Sequence, residues 1–418
     1  MKKTAIEIIK ELEDRKIINN ITNKEKLLKC IEDKKALYVG FDPSFQSLHL
    51  GNYVMLHFLN YMSKCGIKTY ALIGGATGSI GDPSGKTSER KLQDKKIIEK
   101  NSVALGVQIA GLTDCEIINN TEFYKKMSVF DFLRTAGKLV NVNYLLEKEI
   151  IKNRLETGIS YAEFSYNLIQ GYDFLYLYKN KNVAIQGGGS DQWGNITTGL
   201  EMIRKDVGDE TTNAAGITIN LLTKSDGTKF GKSESGAIYL DQKLTSQYEM
   251  YQFLINQKDE DLNQLFNFFS SKTLEKIKEL ISKHNDNRAL RYGQAELAKE
   301  LVTKIHGEEA YKQCIKISKA LFSGEIEKLS KDEMSMAIKQ FTVYEIKKNL
   351  ELHEFILNNQ ILNSKRQINE LIGAKALFIN NILVEDINEI ITKQKAFFGK
   401  YIFIRKGKKN YFVGEFKN

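Results

Sequence analysis

The length, composition and charge of the chain limit the classes of protein to which it can belong. It has 418 residues, enough for two or three domains with a core each, and its 42% hydrophobic and 27% charged content is that of a soluble globular protein. No stretch reaches the roughly 18 uncharged apolar residues of a membrane span, which excludes a transmembrane protein. The four cysteines are far apart, without CxxC spacing, which predicts reduced thiols and no metal site. The net charge of +9 suits an RNA partner, although the base bias of a genome can also produce a lysine-rich composition.

The first residues begin like a secretory signal, but acidic residues interrupt the apolar run. Glu7, Glu11 and Glu13 fall where a signal peptide stays apolar. The spacing predicts an amphipathic helix instead. We therefore expect a cytoplasmic protein.

The stretch 38–52, YVGFDPSFQSLHLGN, is the main candidate for a binding site in the N-terminal half. It reads as a strand, a tight Gly/Pro loop and a helix that begins near His49. Free backbone N–H groups at such a helix start bind anions, and Gly51 lets a nucleotide lie against the backbone. His49 and Asn52 share the face of the first turn and can both reach a phosphate or ribose. An ordinary surface loop is the alternative.

Residues 74–90, GGATGSIGDPSGKTSER, form a second Gly-rich loop after an expected strand at 68–73. A P-loop would need glycine where Ile80 stands, so that assignment fails on spacing. A catalytic loop remains, with Asp82 holding an ammonium group and two cations, Lys86 and Arg90, holding phosphate oxygens. A solvated loop is the alternative.

Three polar residues of the next helix-rich region fall on one helical stripe. Tyr166, Gln170 and Asp173 are spaced i, i+4 and i+7. Such a stripe often faces solvent, but its neighbours are apolar and could turn it inward. An inward trio would need a polar ligand to satisfy it.

Residues 183–195, VAIQGGGSDQWGN, form a second strand, Gly loop and helix start. Two such junctions with helices between them predict a doubly wound α/β sheet, with the ligand at the carboxyl ends of the strands. Asp191 would suit a ribose hydroxyl pair. The GGGSD string alone is a weak signal.

A polar loop at 223–236, TKSDGTKFGKSESG, follows a further expected strand. It carries Lys229, Lys232 and Ser233, and mobile lysines suit a step in which pyrophosphate develops charge and departs. A basic surface loop is the alternative.

The remainder of the chain predicts two further domains. Residues 245–324 have helical spacing throughout, and 325–350 read as a charged connector. Residues 351–418 read as helix, turn, helix and then a hairpin with Asn380 and Asn381 at its tip. Basic residues and Tyr401, Phe403, Tyr411 and Phe412 alternate near the end, a pattern suited to RNA phosphates and bases or, alternatively, to a solubilising tail.

The order of these motifs resembles a known family. HLGN at 49–52 and KFGKS at 229–233 resemble the HIGH and KMSKS elements of class I aminoacyl-tRNA synthetases. The strings GDPSGK, FSYNLIQGYDF and GGSDQWGN between them are similar to the bacterial-type tyrosyl-tRNA synthetase family. SKRQ at 364–367 and the basic end resemble an RNA-binding domain of the ribosomal protein S-four type. The resemblance spans nearly the whole chain and is least informative over 325–350.

The resemblance implies a role for each matching residue. The expected tyrosine-binding residues are Tyr38, Asp82, Tyr166, Gln170, Asp173 and Gln192. The expected ATP-binding residues are Gly40, Asp42, Ser44, His49, Gly51, Asn52, Asp191 and Lys232. Catalysis is expected to use His49, Asn52, Lys86, Arg90, Lys229, Lys232 and Ser233. The expected tRNA-binding residues are Lys365, Arg366, Arg405, Lys406, Lys408 and Lys409.

It also implies an arrangement of domains. These are a Rossmann-like catalytic domain, a KMSKS-like loop, an α-helical anticodon-binding domain, a linker and a small α+β RNA-binding domain, over residues 1–222, 223–244, 245–324, 325–350 and 351–418.

The implied activity is tyrosine–tRNA ligation. L-Tyrosine and ATP would form tyrosyl-adenylate and pyrophosphate, and the tyrosyl group would pass to the 3′ end of tyrosine tRNA. Mg²⁺ would accompany ATP without a dedicated protein site, and the protein would be a homodimer. Two departures bear on ATP affinity: Asn52 replaces the second His of the motif, and Val39 stands where Cys is common. The alternatives are a tryptophanyl-type enzyme and a catalytically dead RNA-binding protein.

Overall fold

The structure is a computed structural model that describes residues 3–84, 92–155, 158–208, 212–233, 236–407 and 410–417. It divides into two compact units. The first unit is Met1–Leu244 with Gln257–Leu297, and the second is Thr245–Asn256 with Ala298–Asn418. This division differs from the five segments expected from the sequence, because part of the expected helical domain packs within the first unit. In the described residues, no helix is both long and apolar enough to cross a membrane.

A six-stranded sheet forms the centre of the first unit. Its order is β1-β6-β5-β2-β3-β4, and every neighbouring pair is parallel except β1 and β6. The strands are β1 (Ile18–Ile21), β2 (Ala36–Phe41), β3 (Thr69–Ile73), β4 (Glu116–Asn119), β5 (Val183–Gly189) and β6 (Ala215–Ile219). The doubly wound, Rossmann-like fold expected from the two strand–loop–helix junctions is confirmed.

Helices cover both faces of this sheet, which explains its composition. β3 and β6 are buried along their whole length, so their sequences TYALI and AGITI lack the polar alternation of a half-exposed strand. The helices before β6 are α1 (Ala5–Asp14), α2 (Lys24–Glu32), α3 (Leu50–Lys64), α4 (Lys95–Leu112), α5 (Thr121–Tyr124), α6 (Val129–Arg134), α7 (Ala136–Leu139), α8 (Val142–Leu146), α9 (Glu149–Leu155), α10 (Tyr161–Lys181) and α11 (Trp193–Val207).

A small hairpin and a run of helices follow β6. The hairpin pairs β7 (Lys232–Ser233) with β8 (Gly236–Ala237). The helices are α12 (Gln247–Ile255), α13 (Leu262–Phe269), α14 (Leu274–Asp286), α15 (Tyr292–His306), α16 (Glu308–Ser323) and α17 (Lys331–Ile338). Of these, α13 and α14 belong to the first unit, whereas α12, α16 and α17 belong to the second.

The second unit ends in a five-stranded sheet of order β12-β11-β14-β15-β9. The elements of this part of the chain are β9 (Val343–Ile346), β10 (Leu350–Glu351), α18 (Leu352–Asn358), α19 (Lys365–Gly373), β11 (Leu377–Ile379), β12 (Ile382–Leu383), β13 (Ile390–Ile391), β14 (Tyr401–Lys406) and β15 (Asn410–Phe416). Strands β10 and β13 pair with each other in a separate two-stranded sheet. The predicted hairpin is confirmed: Ile379 pairs with Ile382, and both Asn380 and Asn381 have the positive φ that a two-residue turn requires.

Two expectations for this region are wrong. Residues 343–346 were expected in a connector but form a strand that pairs in parallel with β15. Tyr401 and Phe403 were expected to face RNA bases, yet both are buried, at 4% and 1% exposed. The cause is the position of β14 inside the sheet, where Ile402 and Ile404 face one apolar core and Phe403 packs against Phe341 on the other side.

Candidate active site

The carboxyl ends of β2 and β5 and the start of α3 border a cavity of about 480 Å³. This is the position at which doubly wound sheets hold ligands. The structure gathers there every expected tyrosine-binding residue and every expected ATP-binding residue except Lys232. Those lining the cavity are Tyr38, Gly40, Asp42, Ser44, His49, Gly51, Asn52, Asp82, Tyr166, Gln170, Asp173, Asp191 and Gln192.

The buried end of the cavity presents a carboxyl group beside a phenol. Asp173 is 1% exposed and accepts hydrogen bonds from Asn120 Nδ2 at 2.9 Å and from the Tyr124 hydroxyl at 2.7 Å. Burial raises the pKa of Asp173 to about 7, against the opposing effect of these two hydrogen bonds. The Tyr38 hydroxyl is buried without a hydrogen-bond partner in the described residues. Burial and then the charge of Asp173 raise the pKa of Tyr38 well above its ordinary value.

A second carboxylate is linked to the first by polar side chains. Asp42 accepts hydrogen bonds from the Tyr166 hydroxyl at 2.9 Å and from Thr77 Oγ1 at 2.7 Å. Asn120 Nδ2 contacts Thr77 Oγ1 at 3.2 Å and so connects this pair to Asp173. The stripe on α10 therefore faces inward, and Tyr166 is 4% exposed.

A relay of amides crosses the middle of the cavity. Gln170 Nε2 donates to Gln192 Oε1 at 3.1 Å, and Gln192 Nε2 donates to Asp82 Oδ2 at 2.8 Å. Asn195 Nδ2 donates to the same Gln192 oxygen at 3.1 Å. Gln170 Oε1 and Gln186 Oε1 are buried without partners in this described part of the chain. The cavity thus offers both hydrogen-bond donors and hydrogen-bond acceptors to a polar ligand.

The start of α3 forms the opposite end of the cavity. His49 caps the helix: Asn52 N donates to His49 Nδ1 at 3.2 Å, and His49 N donates to Asn52 Oδ1 at 3.2 Å. Since Nδ1 accepts, Nε2 carries the proton of the neutral ring and can donate to a ligand. Burial and then the nearby charge of Lys232 lower the pKa of His49, which favours this neutral form.

The residues directly after the lysine loop, which spans residues 223–236, pair with the chain at this helix start. Leu50 N donates to Ile238 O at 2.7 Å, and Leu240 N donates to Leu48 O at 2.8 Å. Lys229 and Lys232 lie close enough for their charges to act on His49. The two motifs that are distant in sequence, HLGN and KFGKS, are therefore neighbours in the first unit.

The junction after β5 contributes the remaining polar group. Asp191 lies at the cavity mouth, where enclosure by protein and then the charge of Asp82 raise its pKa. A side chain on Gly188 would approach Gln192 Cβ to 2.9 Å, so glycine is required for this tight approach.

Some expected residues lie outside the described residues or serve another role. Lys86, Arg90, Lys408, Lys409 and the side chain of Ser233 fall outside the description. Lys365 and Arg366 are exposed at the start of α19, and Lys406 is partly exposed on β14.

Arg405 is instead held by the protein. Its guanidinium lies 3.8 Å from the ring centre of Phe378 and donates to Gly407 O at 2.7 Å and to Asn381 Oδ1 at 3.2 Å. An RNA phosphate would have to compete with these contacts, and tRNA binding by Arg405 stays a prediction.

Several polar residues that line the cavity, or that hydrogen-bond to its lining residues, were missed by sequence reasoning. They are Thr77, Asn120, Tyr124, Gln186 and Asn195. For Asn120 and Tyr124 the available signal was the polarity of the NNTEFY string at 119–124, where β4 ends.

Comparisons with known proteins match nearly the whole chain. The family of class I tRNA synthetases (W and Y) matches residues 31–323, and the family of tyrosine–tRNA ligase SYY-like C-terminal domains matches residues 333–413. A tyrosine–tRNA ligase of Ureaplasma parvum serovar 3 is 53% identical over 97% of this chain and 98% of its own length. A tyrosine–tRNA ligase of Mycoplasma mobile is 51% identical, again over 97% and 98%.

Solved structures share the fold. A C-terminally truncated mitochondrial tyrosyl-tRNA synthetase of Aspergillus nidulans has a TM-score of 0.69 and 27% identity, covering 75% of this chain and 94% of its own. A tryptophanyl-tRNA synthetase of Plasmodium falciparum, at 15% identity and a TM-score of 0.53, covers 78% of this chain and 87% of its own and shares the fold alone. With a family match over most of the chain and relatives near 50% identity, the chain belongs to the tyrosine–tRNA ligase family of class I aminoacyl-tRNA synthetases.

Proposed function

We propose that this chain activates L-tyrosine with ATP and transfers the tyrosyl group to tyrosine tRNA. One observation carries the choice of amino acid: a buried carboxyl group, Asp173, lies beside an unpartnered buried hydroxyl, Tyr38, at the closed end of the cavity. A phenol hydroxyl placed between them would donate to Asp173 and accept from Tyr38. An apolar ring would leave both groups unpaired, which is costly in a buried site.

The rest of the tyrosine would follow the polar wall of the cavity. Its ammonium group would meet Asp82, Tyr166 and Gln170, and its carboxylate would lie near Gln192. The amide relay supports this orientation because Gln192 already bridges Gln170 and Asp82. The tyrosine carboxylate would then point from the closed end toward the start of α3.

ATP would occupy the part of the cavity next to α3. Gly40, Asp42, Ser44, Gly51 and Asp191 would contact adenosine. A side chain at Gly40 would meet no protein atom within 4 Å, so protein packing does not demand glycine there and ligand contact supplies the reason.

The phosphates would lie at the helix start. His49 and Asn52 would hold the α-phosphate, where the helix N-terminus favours negative charge. Lys86, Arg90, Lys229, Lys232 and Ser233 would hold the pyrophosphate.

The chemistry requires positioning and cations rather than a nucleophilic side chain. A tyrosine carboxylate oxygen attacks the α-phosphorus of ATP, and the bond to the bridging oxygen breaks as pyrophosphate leaves with the electron pair. The lysines stabilise the charge on that leaving group, and the His49 Nε2–H donor stabilises the charge on the α-phosphate oxygens. The terminal ribose hydroxyl of tRNA then attacks the tyrosyl carbonyl carbon and AMP departs.

Partners and accompanying ions complete the proposal. Mg²⁺ would arrive bound to the ATP phosphates. The described residues contain no group of three His, Cys, Asp or Glu side chains placed to hold a metal.

A second copy of the chain would bind through α6, α8 and the start of α10, where Val129, Phe130, Val142 and Tyr161 are each more than half exposed.

The tRNA would contact residues 351–418 and the helices of 245–324. The cytoplasmic location expected from the sequence remains part of this proposal.

Pyrophosphate exchange into ATP, measured with each of the twenty amino acids, tests the activation step. Exchange with tyrosine alone would support the proposal. Exchange with tryptophan would be consistent with the fold but would show that the substrate is tryptophan and not tyrosine. A folded protein that binds tRNA but exchanges with no amino acid would contradict the proposal and favour a dead catalytic domain.

A further inference from the structure

The hydroxyl of Tyr124 lies against the carboxyl group on which tyrosine recognition depends. It is 2.7 Å from Asp173 Oδ1 and 2.9 Å from the carbonyl oxygen of Ile169. Tyr124 ends α5, directly after β4, whereas Ile169 and Asp173 belong to α10. One side chain from a separate element therefore reaches both acceptors.

The other groups around Asp173 make this contact important. Its second oxygen, Oδ2, accepts from Asn120 Nδ2 at 2.9 Å, and Asn120 is itself fixed because Ala76 N donates to its Oδ1 at 2.8 Å. The remaining titratable groups near Asp173 are the phenols Tyr38, Tyr166 and Tyr172 and the carboxylate of Asp42. Each of these groups interacts electrostatically with Asp173.

Within the described ranges, the groups that interact with Asp173 include no lysine or arginine. Two neutral donors, Asn120 and Tyr124, thus hold a buried carboxylate without a cation.

We propose that Tyr124 is a positioning residue for tyrosine recognition, whose hydroxyl keeps Asp173 ionised and oriented to accept a hydrogen bond from the substrate phenol. This inference rests on the proposed function and adds a residue that no motif marked. It concerns tyrosine specificity and leaves the ATP end of the cavity unchanged.

The two acceptors of Tyr124 link this role to pH. A hydroxyl has one proton, so Tyr124 can donate either to Asp173 or to the Ile169 carbonyl at one time. With Asp173 ionised, the shorter contact receives the proton. With Asp173 protonated, its own O–H can donate to the Tyr124 oxygen while Tyr124 donates to Ile169, and Asp173 no longer offers that charge to a substrate.

Burial raises the pKa of Asp173 to about 7, so both arrangements are accessible near neutral pH. Removal of the Tyr124 donor raises this pKa further because ionised Asp173 loses a hydrogen bond.

Replacement by phenylalanine separates this role from simple packing. The Tyr124 ring lies within 6.4 Å of the rings of Phe123, Phe132 and Tyr172, and Phe would keep those ring contacts. Tyr176→Phe is a matched control, because Tyr176 stacks on Phe123 in the same aromatic group at 4.1 Å and its hydroxyl makes no described bond to Asp173.

The test is tyrosine binding to the full chain by equilibrium dialysis between pH 5.5 and 8.5, with phenylalanine binding and the KM for ATP measured in parallel. For Tyr124→Phe we expect tyrosine to bind about 10- to 100-fold more weakly at pH 7, with its pH midpoint moved upward. Phenylalanine binding and the KM for ATP should not change, and Tyr176→Phe should resemble wild type.

An unchanged affinity and pH midpoint in folded Tyr124→Phe would overturn the inference while wild-type exchange with tyrosine still held. Absence of tyrosine-dependent exchange in wild type would instead overturn the proposed function itself.

Discussion

The backbone of Gly231 packs directly against the backbone of Gly51. A Cβ built on Gly231 would be 2.5 Å from the Gly51 nitrogen, and Gly231 has φ of +85°, which favours glycine. The start of α3 and the lysine loop can therefore approach each other only because neither position carries a larger side chain. This contact brings HLGN next to KFGKS.

The first prediction concerns this contact. Gly231→Ala should slow adenylate formation, because the loop must move away from α3 and carry Lys229 and Lys232 with it. Tyrosine affinity should stay near wild type, since the Asp173 end of the cavity is untouched. Pre-steady-state pyrophosphate release measures the first quantity and equilibrium dialysis the second.

Gly227→Ala provides the control for backbone strain. Gly227 has a similar φ of +81° in the same loop, but an added Cβ would meet nothing within 4 Å. Equal losses of rate in the two variants would show that strain, and not the contact with Gly51, limits the loop.

The second prediction concerns stability and pH. The pKa of Asp173 rises from an ordinary 3.8 when unfolded to about 7 when folded, so folding favours the protonated form. The contribution of Asp173 to the free energy of unfolding should therefore fall as pH rises from about 4 to about 7, by about 4 kcal/mol, and level off above. Thermal unfolding of ligand-free wild type and Asp173→Asn should differ increasingly over this window, in favour of Asn. A pH-independent difference would contradict the raised pKa.

The third prediction concerns amino-acid selection. Asp173→Ala should reduce discrimination between tyrosine and phenylalanine by about 10- to 100-fold, since the phenol would lose its buried acceptor. The ratio of kcat/KM for the two amino acids in pyrophosphate exchange measures this. Wild-type selectivity in a folded variant would rule out Asp173 as the group that recognises the phenol.

The fourth prediction concerns a buried ion pair between α9 and α10. Arg154 and Glu163 are each 3% exposed and joined by two contacts of 2.7 and 3.0 Å. Arg154→Met alone should lower the free energy of unfolding by about 3–5 kcal/mol, because it leaves Glu163 charged and buried. The double variant Arg154→Met, Glu163→Leu should recover most of this loss in denaturant unfolding. A double variant no more stable than the single one would show that the pair itself is required.

The fifth prediction separates two arginines of the second unit. Arg366 is 88% exposed by its side chain, whereas Arg405 is held by Phe378, Asn381 and Gly407. Arg366→Ala should weaken tRNA binding with little change in stability. It should also reduce the slope of log affinity against log salt concentration by the amount expected for the loss of about one phosphate contact. Arg405→Ala should instead lower stability by about 1–3 kcal/mol. Filter binding at several salt concentrations and thermal unfolding distinguish them; a loss of stability in Arg366→Ala would reverse the assignment.

The parts of the site that sequence reasoning could identify are those in which one local segment creates the feature. His49 caps α3 within HLGN, and Tyr166, Gln170 and Asp173 share a face by helical period alone. Glycines beside Asp and Pro marked the loops at the strand ends.

Features that depend on distant segments could not be predicted. Tyr124 reaches Asp173 only because β4 places α5 beside α10. Tyr401 and Phe403 alternate with basic residues as in an RNA-binding surface, but they are buried because β14 is an interior strand with both faces covered. Pairing of 343–346 with β15 likewise depends on a partner about 70 residues later.

The strand order of the first sheet controls when the cavity can form during synthesis. β2, β3 and β4 follow one another in sequence and can pair early, but the other edge of β2, including Tyr38, is completed only by β5. Until residues 183–189 emerge from the ribosome, the backbone N–H and C=O groups on that edge of β2 have no strand partner, and such edges attract other chains. Nascent chains that stall within α10 should accordingly be the most sensitive to protease and the most dependent on chaperones, more so than chains stalled after β6.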